Sequence, residues 1–450
     1  MRDVQSKFRP TLMVPSLALG LACLGAASML YYHLRLFIPR AAAVQKAEGL
    51  AGGYSFGNDL YQIWITTREW LQHGRNPYSP EMTREIQTGI FGRPLDRHNK
   101  YDPSTDYRQY AYPAFTDFLF LPSALLDFRT LRLLLVLLLP VLTAVSIWMW
   151  VRALGWDLHP MWLAVIITLT LGTYQLLEAF FALQPGLFVG FFLSGAALAI
   201  CHKRLALAGS LCGLTLIKPH VTALAIFYLL LWSISDRARA RFWLSFLIVT
   251  IALLLPSLLL WPHWIGEWVS VLLAYHHYAM PPLTNVLLGS GVPMIAGPLI
   301  IALILAAGVA VAWRNRRAAP ESPAFWFTLS LLLGITTITL LPGQAVYDHL
   351  ILLPGVLWLA QHREQYSIAG PGPRLLLVIG GMLLCWSWIA SLLLVVLHPF
   401  LPDAVFYRTS IFALPIRNAA PLPVAIVAAL AWGYAVNPLK QMTSWSNSLQ

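Results

Sequence analysis

Two ionisable residues stand out because the sequence around them is apolar and aromatic. Asp59 lies in Gly-Asn-Asp-Leu-Tyr at residues 57–61, and Lys218 lies in Leu-Ile-Lys-Pro-His at residues 216–220. A carboxylate can accept a proton as a general base, and a lysine can neutralise a phosphate. Each residue also has a simpler interpretation: Asp59 as the cap of a short amphipathic helix expected over residues 59–71, and Lys218 as a lysine that reaches the membrane surface from a helix end.

Several other polar residues lie in similar surroundings. Gln184 precedes a Pro-Gly pair, His276 and His277 follow an aromatic segment, and Asp348 and His349 precede an apolar stretch. These side chains are expected either to line a cavity or to serve as interfacial groups and helix caps. Adjacent histidines point to different faces of a helix, and no carboxylate cluster accompanies them. No metal-ligand cluster is evident, so the sequence names no metal site and no cofactor and leaves a metal requirement open.

The composition excludes a water-soluble protein. Hydrophobic residues make up 58% of the chain and charged residues 11%, whereas a soluble domain is about 25% charged. The net charge of +11 lies in short basic clusters, which is typical of the cytoplasmic loops of membrane proteins rather than of a nucleic-acid-binding surface. The sequence contains none of the motifs of zinc proteases, serine hydrolases or P-loop ATPases.

The apolar stretches predict an all-α, polytopic integral membrane protein in the cell membrane, forming one transmembrane domain over residues 1–450. We count about thirteen stretches, the first read as an uncleaved helix. Basic clusters place both termini in the cytoplasm, so the number of crossings is even and about twelve. The non-crossing stretch is expected at residues 112–128, with 161–181 as the alternative. Residues 37–111 would then be a long first extracytoplasmic loop with short helices, and 261–290 an interfacial segment on the same side.

Short motifs in chain order resemble those of the polyprenyl-phosphomannose-dependent alpha-mannosyltransferase family, within the C-type glycosyltransferases. They read Asn-Asp-Leu-Tyr-Gln-Ile-Trp at 58–64, Gly-Arg-Asn-Pro-Tyr at 74–78, Ala-Tyr-Pro-Ala-Phe at 111–115 and Leu-Ile-Lys-Pro at 216–219. The family has Tyr-Pro-Pro where this chain has Tyr-Pro-Ala. Its Gly-Gln-x-Asn motif is reduced to Leu-Gln-Pro around Gln184.

The resemblance implies transfer of a hexose, expected to be mannose, from a polyprenyl-phosphate sugar to a lipid or glycan acceptor, with inversion at the sugar carbon. Asp59 would be the catalytic base, and Lys218 would bind the donor phosphate. The remaining donor- or substrate-binding candidates share an expected position on the outer side. They are Tyr61, Gln184, His220, His276, His277, Asp348 and His349.

An O-antigen-ligase-like or polymerase-like enzyme is one alternative that the sequence leaves open, and a transporter or flippase of lipid-linked glycans is another. About twelve helices would suit it, but transporters often carry internal repeats and paired broken helices. We find no clear repeat and a single broken pair, near Lys218. The glycosyltransferase hypothesis requires Asp59 and Lys218 to share one cavity on one side of the membrane.

Overall fold

Every regular element that the structure describes is a helix, as the all-α prediction requires. The computed structural model describes residues 13–50, 56–96, 98, 99, 102, 107–276, 280–343 and 345–435, without the side chains of His276 and Tyr434. The helices of the first half are α1 (Met13–Tyr31), α2 (Ile38–Ala47), α3 (Asn58–His73), α4 (Pro80–Phe91), α5 (Thr116–Leu119), α6 (Phe128–Ala153), α7 (Pro160–Leu171), α8 (Tyr174–Ala182), α9 (Gly186–Cys201), α10 (Leu205–Leu214) and α11 (Pro219–Ile234).

The second half continues in the same way. Its helices are α12 (Ala240–Leu260), α13 (Trp264–His276), α14 (Pro282–Gly289), α15 (Ala296–Arg314), α16 (Pro323–Thr339), α17 (Leu353–Gln361), α18 (Arg363–Ile368), α19 (Pro371–Leu397), α20 (Asp403–Phe406), α21 (Thr409–Phe412) and α22 (Pro421–Ala435). Proline begins many of these helices, because the first helical position needs no N–H donor. Short 3-10 turns at Thr215–Ile217, Arg237–Arg239 and Val346–Leu352 lead into α11, α12 and α17.

Six helical stretches among the described residues are long and apolar enough to cross a membrane. They are Met13–Ala47, Phe128–Ala153, Arg237–Leu260, Ala296–Arg314, Pro371–Phe400 and Leu414–Gly433. The pair α7 and α8 passes the same criterion jointly but is bent by 63°. Shorter apolar helices, α9 and α11 among them, complete the bundle. The protein is therefore a helical membrane protein with at least six segments of membrane-spanning length.

Close helix contacts hold α9, α10 and α12 together. α10 packs against both neighbours, and a Cβ added at Gly209 of α10 would lie 2.0 Å from the carbonyl oxygen of Phe242 in α12. Only glycine allows the two backbones to approach so closely, a packing mode common between helices in membranes.

The segment before α6 packs against α13. The side-chain amide of Asn76 donates to the carboxylate of Glu267, 3.2 Å away, and the indole N–H of Trp268 donates to the carbonyl oxygen of Ala111 at 2.9 Å. The hydroxyl of Tyr78 donates to the carbonyl oxygen of Tyr112 at 2.7 Å. These bonds fix the backbone around residues 111 and 112 beside the site described next.

Candidate active site

Asp59 lies in the first turn of α3, and its carboxylate is buried. It forms an ion pair with Arg108 and accepts a hydrogen bond from the side-chain amide of Gln184. The N-cap of α3 is Gly57, in the left-handed conformation, and in the described part of the chain no side-chain hydrogen bond caps that end. The carboxylate of Asp59 is thus directed at partners from other parts of the chain instead of capping its own helix.

The turn between α8 and α9 brings Gln184 to Asp59. The backbone N–H of Gly57 donates to the carbonyl oxygen of Phe181 at 2.8 Å, which ties the start of α3 to the end of α8. Leu183 ends α8 with a φ of 51°. The chain reverses there, and Gln184 is left 2% exposed at the start of α9.

Lys218 is buried and bonded at the break between the 3-10 turn Thr215–Ile217 and α11. Its Nζ lies 2.8 Å from each carboxylate oxygen of Asp348 and 3.1 Å from Oε1 of Gln184. Lys218 and Asp348 are 6% and 2% exposed. The lysine therefore points into the protein and is not a surface lysine. Asp348 bonds to Lys218 and does not cap a helix.

These contacts form one connected set, which we call the polar cluster: Arg108, Asp59, Gln184, Lys218 and Asp348. Gln184 joins its two halves, because its amide nitrogen faces the carboxylate of Asp59 and its amide oxygen faces the ammonium of Lys218. With the lysine and arginine charged and both carboxylates ionised, the formal charges cancel. Such balance is what a buried ionic group requires, since an unpaired charge is costly there.

Two tyrosines lie beside the polar cluster. The ring centroid of Tyr347 is 5.0 Å from Nζ of Lys218. Burial, together with the negative charges of Asp59 and Asp348, raises the pKa of Tyr112 well above its usual value. Tyr112 thus keeps its O–H at physiological pH and can act as a hydrogen-bond donor. It belongs to the Ala-Tyr-Pro-Ala-Phe motif, but the sequence alone assigned it no role.

Arg108 is the member of the polar cluster that the sequence did not reveal. It precedes the motif at residues 111–115 in a segment without helical periodicity, and it lies 49 residues from its partner Asp59. Its backbone has a φ of 50°, a conformation that a residue other than glycine adopts at some energetic cost. The predicted outer loop contains several other arginines, so the sequence offered no signal that distinguishes Arg108.

Asp117 is a second buried carboxyl, in α5 and outside the polar cluster. Its Oδ1 accepts a hydrogen bond from the hydroxyl of Tyr110 at 2.7 Å and lies 3.0 Å from the hydroxyl of Thr67 in α3. Burial raises the pKa of Asp117 to about 7, although these hydrogen bonds act in the opposite direction. Asp117 connects α3 to α5 and so helps to hold the helix that carries Asp59.

The structure does not bring every predicted residue into the polar cluster. The ring of Tyr61 packs against Trp64 and Phe128, and its hydroxyl faces Gly89 of α4. His220 is half-buried in the first turn of α11. His349 is buried next to Asp348, and neither of its ring nitrogens has a hydrogen-bond partner among the described residues.

The predicted histidine pair His276-His277 lies largely outside the description. The backbone of His276 ends α13, its side chain is not described, and His277 falls in an undescribed gap. Within the described ranges, no three histidine, cysteine or acidic side chains are grouped so that they would hold a metal ion.

The helical membrane architecture together with the family comparison gives the class of protein: a C-type-like membrane glycosyltransferase. A family model described as Glycosyltransferase family 87 matches residues 110–342, about half of the chain, and the chain belongs to that family. The match includes Gln184 and Lys218, whereas Asp59, Arg108 and Asp348 lie outside it. No curated protein and no solved structure gave a match.

Proposed function

We propose that this glycosyltransferase transfers a hexose, mannose by resemblance, from a polyprenyl-phosphate sugar to a lipid or glycan acceptor on the extracytoplasmic side. Asp59 is the general base. The observation that carries the proposal is the polar cluster, in which the buried carboxylate of Asp59 pairs with Arg108 and is joined to Lys218 through the side chain of Gln184. Membership of a glycosyltransferase family favours transfer over transport of a lipid-linked glycan.

The proposed topology has twelve crossings, with both termini in the cytoplasm. Before α6 begins at Phe128, the stretch 112–128 contains only the four-residue helix α5 and a 3-10 turn at Leu121–Leu125, which supports leaving it out of the count. The other twelve apolar stretches then cross in alternation. Under this topology Asp59 and Arg108 lie in the first extracytoplasmic loop, Gln184, Lys218 and Asp348 lie in connections on the same side, and the basic clusters lie in the cytoplasm.

The proposed reaction is a displacement at the anomeric carbon. The acceptor hydroxyl gives its proton to the carboxylate of Asp59 as its oxygen forms a bond to that carbon. The bond from the carbon to the phosphate oxygen breaks, and polyprenyl phosphate leaves with its bonding electrons. Negative charge therefore grows on the phosphate, where the cations Arg108 and Lys218 stabilise it.

Helix α13 supports a membrane-surface position for this chemistry. Ile265, Val269 and Leu273 are each more than 40% exposed, at 42%, 41% and 61%, and they recur every four residues. Such spacing places them on one helix face, suited to the boundary between headgroups and acyl chains. A neighbouring side of α13 is held to the segment that carries Tyr112 by the bond from Trp268. A donor with its tail in the membrane would thus reach the polar cluster from the bilayer.

The test is Asp59→Asn in purified full-length protein supplied with radiolabelled polyprenyl-phosphate mannose and membrane lipids. The amide cannot take up the proton, so transfer should fall by about 10²- to 10⁴-fold. The matched control is Asp127→Asn. Asp127 is a fully exposed carboxylate that caps α6, and asparagine caps equally well, so transfer should not change.

Thermal unfolding of both variants separates loss of the base from loss of the fold. Transfer by a folded Asp59→Asn variant at the wild-type rate would remove Asp59 from the mechanism. Other polyprenyl-phosphate hexoses, supplied in parallel, test the choice of sugar: a faster rate with another hexose would replace mannose and leave the mechanism in place.

A further inference from the structure

A cavity of about 670 Å³ lies far from the polar cluster, between the α9–α10 turn, the 3-10 turn before α12 and the connection that precedes α16. Its charged lining residues are Lys203, Arg204, Arg239 and Arg241, together with the acidic Asp236 and Glu321. The charged lining thus has a net positive charge of two. Its volume is in the range of small-molecule binding sites.

The cavity and the polar cluster lie at opposite ends of the same two helices. α9 begins beside Gln184 and ends just before Lys203, and α11 begins at Lys218 and ends just before Asp236. Each helix has 16 residues, which corresponds to about 24 Å. That length approaches the hydrocarbon thickness of a bilayer, about 30 Å, so the cavity faces the opposite membrane surface from the polar cluster.

Part of the cavity wall is fixed in place. The guanidinium of Arg239 lies 4.5 Å from the ring centroid of Trp232, donates to the carbonyl oxygen of that residue at 3.2 Å and pairs with Asp236 at 3.4 Å. Trp232 is itself anchored by its indole N–H, 2.9 Å from the carbonyl oxygen of Ala318. Arg239 is therefore presented with little freedom, which lowers the entropic cost of binding an anion.

The cations stand next to an apolar surface that is open to lipid. Leu205 and Leu207 line the cavity with them, and Leu207 is 47% exposed. Ile234, at the end of α11 near Asp236, is 67% exposed. A ligand that satisfies both surfaces carries a negative headgroup and an acyl chain. Basic pockets between helices at the cytoplasmic surface bind anionic lipid headgroups in this way.

We propose that this cavity binds the headgroup phosphate of an anionic phospholipid, in the leaflet opposite to the catalytic face. Lys203, Arg204, Arg239 and Arg241 contact the phosphate, and the acyl chain lies along the exposed surface around Leu207. The proposal rests on the cavity alone and holds whichever sugar the enzyme transfers.

The test measures binding of phosphatidylglycerol to the detergent-purified full-length protein by native mass spectrometry and by thermal shift. Phosphatidylcholine and inorganic phosphate are the comparison ligands. The variant Arg204→Gln/Arg241→Gln removes two exposed cations from the lining. We expect it to bind phosphatidylglycerol about thirtyfold more weakly, because each basic residue near an anionic lipid contributes about a fivefold factor.

The control variant is Arg314→Gln/Arg316→Gln, which removes the same charge from the same membrane surface outside the cavity lining. It should keep wild-type affinity. Equal losses in both double variants would mean general charge attraction and would overturn the proposal, as would equal binding of phosphatidylcholine. Stabilisation by inorganic phosphate as large as that by phosphatidylglycerol would assign the cavity to a free anion instead. Should the cavity variant fail to fold, the single substitution Lys203→Gln of an exposed residue provides the same comparison. Its affinity for phosphatidylglycerol should fall about fivefold.

Discussion

Gly186→Ala offers a test of the polar cluster, because two physical effects predict opposite changes in the stability of the protein. It is the first residue of α9, and a Cβ added there would lie 2.4 Å from Oδ1 of Asp348 and 3.7 Å from Nζ of Lys218. Ordinary contact to a Cβ begins near 3.4 Å. In Gly186→Ala the carboxylate oxygen must therefore withdraw by about 1 Å, which disrupts its 2.8 Å bond to Lys218.

The expected change in stability follows from helix propensity and overpacking, which act in opposite directions. Alanine is favoured over glycine within a helix by up to about 1 kcal/mol, so propensity alone predicts a more stable protein. Overpacking at a well-packed site costs about 1–3 kcal/mol, and Asp348 is too deeply buried to move into solvent. We expect a net loss of about 1–2 kcal/mol in the free energy of unfolding, with sugar transfer reduced by displacement of the Lys218–Asp348 pair.

The assay is unfolding of the purified protein in mixed detergent micelles, with transfer measured at a temperature where both proteins remain folded. Gly195→Ala is the matched control in the same helix: its nearest neighbour is the flexible end of Leu211, 3.2 Å from the added Cβ. That variant should be as stable as the wild type or slightly more so. A Gly186→Ala protein that gained stability and kept full activity would refute the close packing around Asp348.

Two further predictions concern the charges around Asp59. The variants Lys218→Ala and Arg108→Gln should each lower the rate of transfer about 10²-fold, because each removes a cation that stabilises the donor phosphate. Arg108→Lys keeps the charge and should retain more activity. Unchanged donor kinetics in Lys218→Ala and Arg108→Gln would show that these residues do not bind the donor phosphate. Because burial raises the pKa of Asp117 to about 7, the folded protein holds a proton between about pH 4 and pH 7 that the unfolded chain has released. The free energy of unfolding should therefore fall as pH rises through that window and level off above it. In Asp117→Asn this fall should be smaller by up to about 4 kcal/mol. An equal difference between the unfolding free energies at pH 5 and pH 8 in the two proteins would contradict the assignment.

The elements of the site were predictable from local sequence. The helix expected over residues 59–71 is α3, Asn58–His73, and the break at Lys218-Pro219 separates two helices as expected. Both follow from short-range effects, namely apolar periodicity and the missing N–H of proline.

The pairing of these elements was not predictable. Gln184 meets Asp59 across 125 residues and Asp348 meets Lys218 across 130, and no local pattern encodes such contacts. Arg108 and Asp117 received no predicted functional role, because their segments lack periodicity. Their importance arises only from burial, which converts an ordinary loop residue into one that must be paired or must change its pKa.

The neutral pairing in the polar cluster constrains the proposed mechanism. At rest each cation has a carboxylate partner, which keeps the buried charges balanced. A donor phosphodiester brings one negative charge, and the leaving phosphate carries close to two at neutral pH. The phosphate therefore competes with the carboxylates of Asp59 and Asp348 for Arg108 and Lys218. Uptake of the acceptor proton neutralises Asp59 as the phosphate charge grows, so Arg108 is released to the leaving group without any change in the total charge of the site. Protonation of Asp348 would release Lys218 with the same charge balance, so the proposed mechanism gives the role of base to Asp59 because of its motif at residues 58–64 and leaves Asp348 to position Lys218.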